Sequence, residues 1–394
     1  WGEHDLAENI IHLVLARIDG APGGSKGLSL FVVPKYLCDA EGNITGGNDV
    51  VCSSVEHKMG IKASPTCVIN FGTENSTIGY LLGEPHKGMR MMFQMMNEAR
   101  IEVGIQGMAM GSAAYLSAVE YASERTQGTV RTETGARLAK IIEHEDVRRM
   151  LLKSRALVQA GRAILYNLMQ YMDLAEHGKN KEKYEALIDL IVPVGKAYGS
   201  DQGFRVTEMA VQTYGGYGYC QEYPVEQYMR DCKITSIYEG TNGIQALDLL
   251  FRKIIMDKGK SLKYLLGDMV ALCESISSEN LAPQAKSLGD AAISLGSTAH
   301  LLGQQVMGGN DALARFYATD FLEHMGHIVG AYFLLEQATV AEKALAGDIS
   351  DADRHFYEQK IITTAYFFED ILPVSVFALG NMGRAHASGL AARF

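Results

Sequence analysis

Gln212-Thr213-Tyr214-Gly215-Gly216-Tyr217-Gly218-Tyr219, then Glu222-Tyr223-Pro224-Val225-Glu226, Met229-Arg230-Asp231-Cys232-Lys233-Ile234 and Ile237-Tyr238-Glu239-Gly240-Thr241-Asn242-Gly243-Ile244-Gln245 form the string that decides how this chain reads. Glu239 has glycines one and four residues on and apolar residues to either side. That pattern suits neither a helix interior nor a strand, because glycine weakens both and lets the backbone take positive φ or approach a ligand closely. Ile237, Tyr238 and Ile244 are placed to exclude water, and a desolvated, positioned carboxylate suits a general base. From this nonapeptide alone, a helix-capping loop whose glutamate faces solvent stays open.

Taken together, the string resembles the C-terminal signature of the acyl-CoA dehydrogenase family: Gln, a Gly-Gly turn, Glu-Tyr-Pro-Val-Glu, Arg-Asp, Tyr-Glu-Gly-Thr and Ile-Gln, in order across residues 212–245. The resemblance implies that Glu239 removes the α-proton of a fatty acyl thioester and that the β-hydrogen leaves as hydride to the flavin of FAD. A positioned base is worth roughly 10²–10⁴ in rate. A larger share is expected from polarising the thioester carbonyl, by the glutamate's own backbone N–H and a ribityl hydroxyl. Tyr238 and Gly240 then belong to the substrate side, and Thr241 and Asn242 to the phosphate side of the flavin.

Three further segments carry the same resemblance. Asn97-Glu98-Ala99-Arg100 is similar to the family's pocket-lining turn, which makes Asn97 and Arg100 substrate residues; Asn97 stands where Asp is commoner. Some members keep their glutamate just before that arginine, where this chain has Ala99. Glu98 lies about 100° further round a helix, so Glu239 keeps the assignment. Tyr121-Ala122-Ser123-Glu124-Arg125-Thr126-Gln127-Gly128 resembles a motif whose arginine reaches the FAD pyrophosphate of a neighbouring subunit. Arg125 suits that task through charge-assisted, bidentate bonds, although the motif's phenylalanine is absent. Gln212, Gly215 and Gly216 join it, since a Gly-Gly turn can expose backbone N–H groups as an anion-binding nest. A cofactor bound across subunits implies a homo-oligomer, a dimer or a tetramer.

Composition limits the alternatives. The 394 residues suffice for two or three domains, and the net charge of −10 with no Lys/Arg block argues against a duplex nucleic-acid binder. Cysteines 38, 52, 67, 220, 232 and 273 form no CxxC pair and no zinc spacing, and read as buried thiols in a reducing compartment. No uninterrupted apolar run approaches the roughly 20 residues of a membrane span. The opening Trp1-Gly2-Glu3-His4 has no initiator Met and no leader, so targeting is unreadable and an N-terminally truncated fragment is expected.

Ile10–Arg17, Gly27–Pro34, Asp49–Val55 and Thr66–Gly72 read as strands. The loop His57–Thr66 between the last two is similar to a family loop near the flavin and CoA tail, yet Lys58 and Lys62 singly read as solvated. From Gly88 the period becomes helical: Met91, Met92, Met95 and Met96 with Ile101, Val103, Ile105 and Met108 give a face read as core. Helix is expected through Gly128 and again over Glu143–Ala210, broken at His177–Lys181. Beyond Leu250, the segments 283–308, 311–346 and 351–380 are helical, an appendage resembling the longer family members. Of these longer members, which include very-long-chain acyl-CoA dehydrogenases, the wording of Glu239–Gln245 and of His57–Thr66 leans to the bacterial 3-(methylthio)propanoyl-CoA dehydrogenases.

The expected fold is α+β and mostly α. A small β-barrel-like domain over 1–85 precedes a helical flavin and acyl-CoA domain over 86–257 and a second helical domain over 258–394. No metal site is expected: Glu143-His144-Glu145-Asp146 diverge round a helix, and His324 and His327 lack the paired Glu-x-x-His sets of a di-metal bundle. The expected activity is FAD-dependent α,β-dehydrogenation of an acyl-CoA, with electron-transfer flavoprotein as acceptor, in a bacterial cytoplasm. An oxygen-using acyl-CoA oxidase and a nucleic-acid-binding family member are the alternatives.

Overall fold

The structure is a computed structural model that describes residues 7–133, 135–382 and 387–392. The opening Trp1-Gly2-Glu3-His4 lies outside these residues. Two compact units divide the chain, Trp1–Ala99 and Arg100–Phe394.

Strands β1 (Ile11–Arg17), β2 (Leu28–Pro34), β3 (Tyr36–Cys38), β4 (Ile44–Gly47), β5 (Val50–Val55), β6 (Cys67–Phe71) and β7 (Tyr80–Leu82) belong to the first unit. They form one antiparallel sheet in the order β1-β2-β7 and two hairpin pairs, β3–β4 and β5–β6. Among the described residues no sheet closes, so the barrel-like expectation gives way to small open sheets. Strands β3, β4 and β7 escape the sequence because three or four residues cannot display a period of two. The buried apolar set here is small, chiefly Leu30, Val33, Val50 and Cys67, and polar side chains tie the loops. Buried Asn48 donates to the carbonyls of Pro34 at 2.7 Å and Ile78 at 2.9 Å, and accepts from the Ile78 N–H at 2.8 Å. Lys58 donates to the Ser64 carbonyl, which closes the 57–66 loop on itself.

Helix α1 (Gly88–Glu124) starts where the period changes. The four methionines read as core from the sequence are not core: Met95 is exposed and Met91, Met92 and Met96 are half-buried. Burial sets in at Ile101, Val103 and Met108. The helix also ends four residues early, and the chain turns into an unforeseen hairpin of β8 (Thr126–Thr132) and β9 (Gly135–Lys140). The signal was present, since Thr126, Thr129, Val130 and Thr132 are β-branched residues that favour the pleated ladder.

Helices α2 (Glu145–His177), α3 (Lys181–Tyr214), α4 (Pro224–Cys232), α5 (Asn242–Leu247), α6 (Lys260–Ser275), α7 (Ala282–Met307), α8 (Asp311–Leu345), α9 (Asp351–Tyr366) and α10 (Leu372–Asn381) follow. Wider π turns continue α5 over Asp248–Met256 and join α9 to α10 over Phe367–Ile371. One hydrophobic core runs from Ile101 to Met382 and takes in Leu168, Leu190, Leu249, Leu288, Phe321 and Phe367. Helices on both sides of residue 257 therefore fold round a common interior.

Glycines set how closely α1 and α3 approach. A β-carbon on Gly107 would meet the Gly199 carbonyl oxygen at 2.6 Å, and one on Gly104 the Gly195 oxygen at 2.8 Å. One on Gly111 would lie 2.9 Å from the α-carbon of Gly203. The spacings 104/107/111 and 195/199/203 put these residues on facing stripes, where bare backbones touch.

The helical run Asp351–Asn381 is long and apolar enough to cross a membrane by length and composition alone, with a mean hydropathy of 1.4 over its best 18-residue window. Scanning for uninterrupted apolar residues misses it because Glu369 and Asp370 interrupt the run. Its Phe367, Ile371, Leu372 and Leu379 are core residues, Val374 and Phe377 are exposed, and 39% of that window is buried. Only Cys67 and Cys232 of the six thiols are buried, and Cys38 and Cys220 are exposed, which corrects the expectation of buried cysteines; all six are free.

Candidate active site

Glu239 occupies a turn of two consecutive left-handed residues, φ +54° at Glu239 and +85° at Gly240. Glycine takes that region freely, whereas for a glutamate it costs about 1–2 kcal/mol. Six hydrogen bonds hold the turn. Ile237 and Tyr238 N–H groups close a short helical turn on the Ile234 carbonyl at 2.8 and 3.1 Å. The Tyr238 hydroxyl donates to the Gln106 amide oxygen on α1. Beyond the turn, Thr241 caps α5 by accepting from the Ile244 N–H, and fully buried Gln245 donates back to the carbonyls of Glu239 at 3.3 Å and Gly240 at 3.2 Å. The result is a half-buried carboxylate on a fixed backbone.

The water-excluding wall expected around it is only partly present. Ile237 is 49% and Ile244 53% exposed, because one lies at a tight turn and the other on the outer side of a six-residue helix. Tyr238 is half-buried, and burial pushes its phenol above the ordinary range.

Asn242 does not face outward. It is 7% exposed, its amide oxygen accepts from the Lys196 amine at 2.8 Å and its nitrogen donates to the Ser200 hydroxyl at 2.9 Å. The amide expected on the phosphate side of the flavin is thus bonded to α3. Arg100 is likewise turned inward. At 4% exposure it lies 3.4 Å from Asp248, which also meets Arg252 at 3.3 Å. Asn97 is half-buried and belongs to the first unit.

A second group of expected residues does converge. Arg125, Gln212, Gly215 and Gly216 line one open cleft of about 680 Å³ on the second unit, together with Tyr121, Gln127, His144, Tyr214 and Tyr217. Arg125 follows the last residue of α1, where its positive charge meets the helix's negative end. Its backbone is fixed on both sides: its N–H bonds the Tyr121 carbonyl at 2.9 Å and its carbonyl takes the Ile141 N–H at 2.8 Å. The guanidinium lies over the Tyr217 ring, 5.4 Å from its centre. Gly215 has φ +63°, and added β-carbons on Gly215 or Gly216 would meet nothing within 4 Å, so bare backbone faces the cleft. The Gly215 N–H itself closes α3 on the Gln212 carbonyl and is not available to an anion, which narrows the nest reading.

The tyrosines were missed by sequence reasoning. Tyr121 and Tyr214 stack with ring centres 4.0 Å apart, and Tyr217 and Tyr223 complete the cluster. Tyr121 lies four residues before Arg125, one turn along the same helix face, so the spacing could have found it. His144 joins through its ring, whose Nε2 lies 2.8 Å from the Gln127 carbonyl. The carboxylates nearby are already paired: Glu143 with Arg137, whose hydrogen bonds hold its carboxyl down at about 2, and Asp146 with Arg149 at 2.7 Å. One cation, an amide, a bare glycine turn and aromatic walls fit a ligand that combines phosphate with planar rings.

Residues 86–253 match the family described as acyl-CoA dehydrogenase, C-terminal domain, and residues 265–388 that described as acetyl-CoA dehydrogenase C-terminal like. A 3-methylmercaptopropionyl-CoA dehydrogenase of Ruegeria pomeroyi is 40% identical over 94% of this chain and 63% of its own length. A broad-specificity linear acyl-CoA dehydrogenase of Mycobacterium tuberculosis is 38% identical, with the same shares covered. A butyryl-CoA dehydrogenase of Syntrophomonas wolfei is 36% identical over 99% of this chain and 65% of its own length. The chain thus spans somewhat under two thirds of these relatives. In fold it is similar to Caenorhabditis elegans ACDH-11 in complex with C11-CoA, with TM-score 0.72 at 22% identity over 92% of this chain and 57% of that one. It is also similar to an FAD-complexed acyl-CoA dehydrogenase from Bacillus anthracis, with TM-score 0.67 at 22% identity over 95% and 64%.

Proposed function

The chain belongs to the acyl-CoA dehydrogenase family, and on that premise we propose that it supplies the base and the diphosphate cleft of an enzyme that α,β-dehydrogenates an acyl-CoA. The observation that carries the proposal is the Glu239–Gly240 turn, two left-handed residues whose carbonyls are both held by Gln245. A fixed turn presents the carboxylate in one place, and a base acts only on a proton within hydrogen-bond reach. Glu239 takes the α-proton, Tyr238 and Gly240 flank the reacting end, and Thr241 shapes the loop as the cap of α5.

FAD, when bound, supplies the acceptor for the two electrons that leave with the β-hydrogen. Arg125, Gln212 and Gly216 are the residues that would hold its diphosphate, with Tyr121 and Tyr217 beside them. The substrates named for the relatives, methylmercaptopropionyl, butyryl and linear acyl thioesters of CoA, make a short linear acyl-CoA our proposed substrate class. A homo-oligomer, electron-transfer flavoprotein as acceptor and a reducing cytoplasm, compatible with six free thiols, are part of the same proposal.

The test is anaerobic mixing of FAD-loaded full-length protein with acyl-CoAs of graded chain length. Bleaching of the flavin band is expected with wild type. Glu239→Gln should retain flavin and acyl-CoA binding and lose nearly all bleaching. A Glu239→Gln protein that bleaches at the wild-type rate would remove Glu239 from the role, and a wild type that never bleaches would remove the activity.

A further inference from the structure

Lys196 is among the largest side chains fully enclosed in the described residues, at 0% exposure in the middle of α3. A buried ammonium is costly unless its protons find partners. Its amine donates to the Asn242 amide oxygen at 2.8 Å. Asn242 is the first residue of α5, three positions past Glu239, and its own nitrogen donates to Ser200 at 2.9 Å. Ser200 in turn bonds the Lys196 carbonyl at 2.9 Å. Every polar atom of the Asn242 amide is therefore engaged by α3. One turn further along α5, Gln245 reaches back to the carbonyls of Glu239 and Gly240.

These contacts form a mechanical chain from the interior to the base: Lys196, Asn242, the first turn of α5, Gln245 and the Glu239 backbone. The charges that face Lys196 come from three elements. Asp201 on α3 and Glu239 on the loop favour its ammonium form, and Arg100 on α1 opposes it. Asp201 itself faces Arg205 on α3 and Glu323 on α8. Desolvation outweighs the favourable pair and pulls the amine down to about 8.

We propose that Lys196 is a positioning residue for Glu239, which clamps Asn242 in its charged form and so holds the strained turn that aims the carboxylate. The inference rests on the reading of Glu239 as the base. It gives a role to a cation enclosed in the helical interior beside Asn242. A hydrophobe at 196 would leave the Asn242 oxygen with only the longer contact from the Ser200 hydroxyl at 3.4 Å, and the loop would lose its inner anchor.

The experiment is hydrogen–deuterium exchange on the full-length protein, comparing peptides over 237–247 with peptides over α7 as internal reference. Lys196→Met should speed exchange of 237–247 about tenfold or more and leave α7 unchanged, as expected for loss of one local anchor. Asn242→Ala should give the same local effect, and adding Lys196→Met to it should add little. In wild type, protection of 237–247 relative to α7 should fall as pH rises past about 8, and that fall should be absent from Lys196→Met. Turnover should lose kcat about tenfold or more with KM nearly kept, since the group removed touches no substrate.

If Lys196→Met does not fold, Asn242→Ala and the wild-type pH series carry the test. Unchanged exchange over 237–247 in Asn242→Ala, or in a folded Lys196→Met, overturns the proposal. Exchange requires neither flavin nor substrate. Loop loosening in a protein whose wild type never bleaches flavin would leave the clamp standing and refute only the dehydrogenase reading.

Discussion

Gly104 and Gly199 meet backbone against backbone: a β-carbon added to Gly199 would lie 2.8 Å from the α-carbon of Gly104 and closer still to its carbonyl oxygen. The obstruction is main chain, which cannot swing aside as a side chain can. Each of the two helices that meet at this seam also holds the segment of the candidate base, α1 through Gln106 with Tyr238 and α3 through Lys196 with Asn242.

Gly199→Ala is expected to destabilise the protein by about 2–3 kcal/mol, the upper range for overpacking a core. Gly216→Ala, where an added methyl meets open space, should stay within about 0.5 kcal/mol of wild type. Urea denaturation of the two variants side by side checks both.

Arg100 and Asp248 are both buried, at 4% and 8% exposure. Arg100→Leu leaves a buried carboxylate with only the more exposed Arg252 as partner, and the expected loss is about 3–5 kcal/mol. Arg100→Leu/Asp248→Leu removes both charges and should recover a large part of that loss. A double-mutant cycle by equilibrium unfolding measures it, and additive single losses would contradict the pairing.

His327 is buried between α8 and α10, with its Nδ1 2.8 Å from the Ser375 hydroxyl, and burial pulls its imidazole down to about 3. Above pH 6.5 neither folded nor unfolded chain binds this proton. As pH falls below 6.5 the unfolded chain takes it up and the folded chain does not, so stability falls by about 1.4 kcal/mol per pH unit until about pH 3. Unfolding midpoints between pH 6.5 and 5 should therefore drop more steeply for wild type than for His327→Gln.

Arg125→Ala is expected to weaken FAD binding by about 10–100-fold, the worth of charge-assisted hydrogen bonds to phosphate. Arg125→Lys should recover only part, because an ammonium keeps the charge without the planar fork. Titration of flavin fluorescence with the full-length apoprotein distinguishes the three proteins, and an unchanged affinity in Arg125→Ala would remove the cleft from the cofactor site.

Much of the secondary structure is legible in the chain, because it depends on local period and local breakers. The change at Gly88, the break at His177–Lys181 and the long helices after Leu250 all follow from spacing and turn residues. The β8–β9 hairpin was hidden by the helix that leads into it, and β3, β4 and β7 by their brevity. The site divides in the same way. Glycines at 215 and 240 announce themselves, since few other residues take their backbone angles, and the order of residues 212–245 carries the family.

What the sequence alone determined is which residues stand in the loops and which helices exist. Only the tertiary structure decided where the side chains point. Asn242 and Arg100 read as ligand-facing until packing turned them inward, to Lys196 and Asp248. Tyr121 and Tyr217 carried no assigned role in the sequence, and only the structure brings them together with Arg125 in one cleft. The physical reason is that a polar side chain goes wherever its hydrogen bonds can be completed. Those partners lie tens of residues away in the chain, 46 in the case of Lys196 and Asn242, beyond the reach of any local pattern.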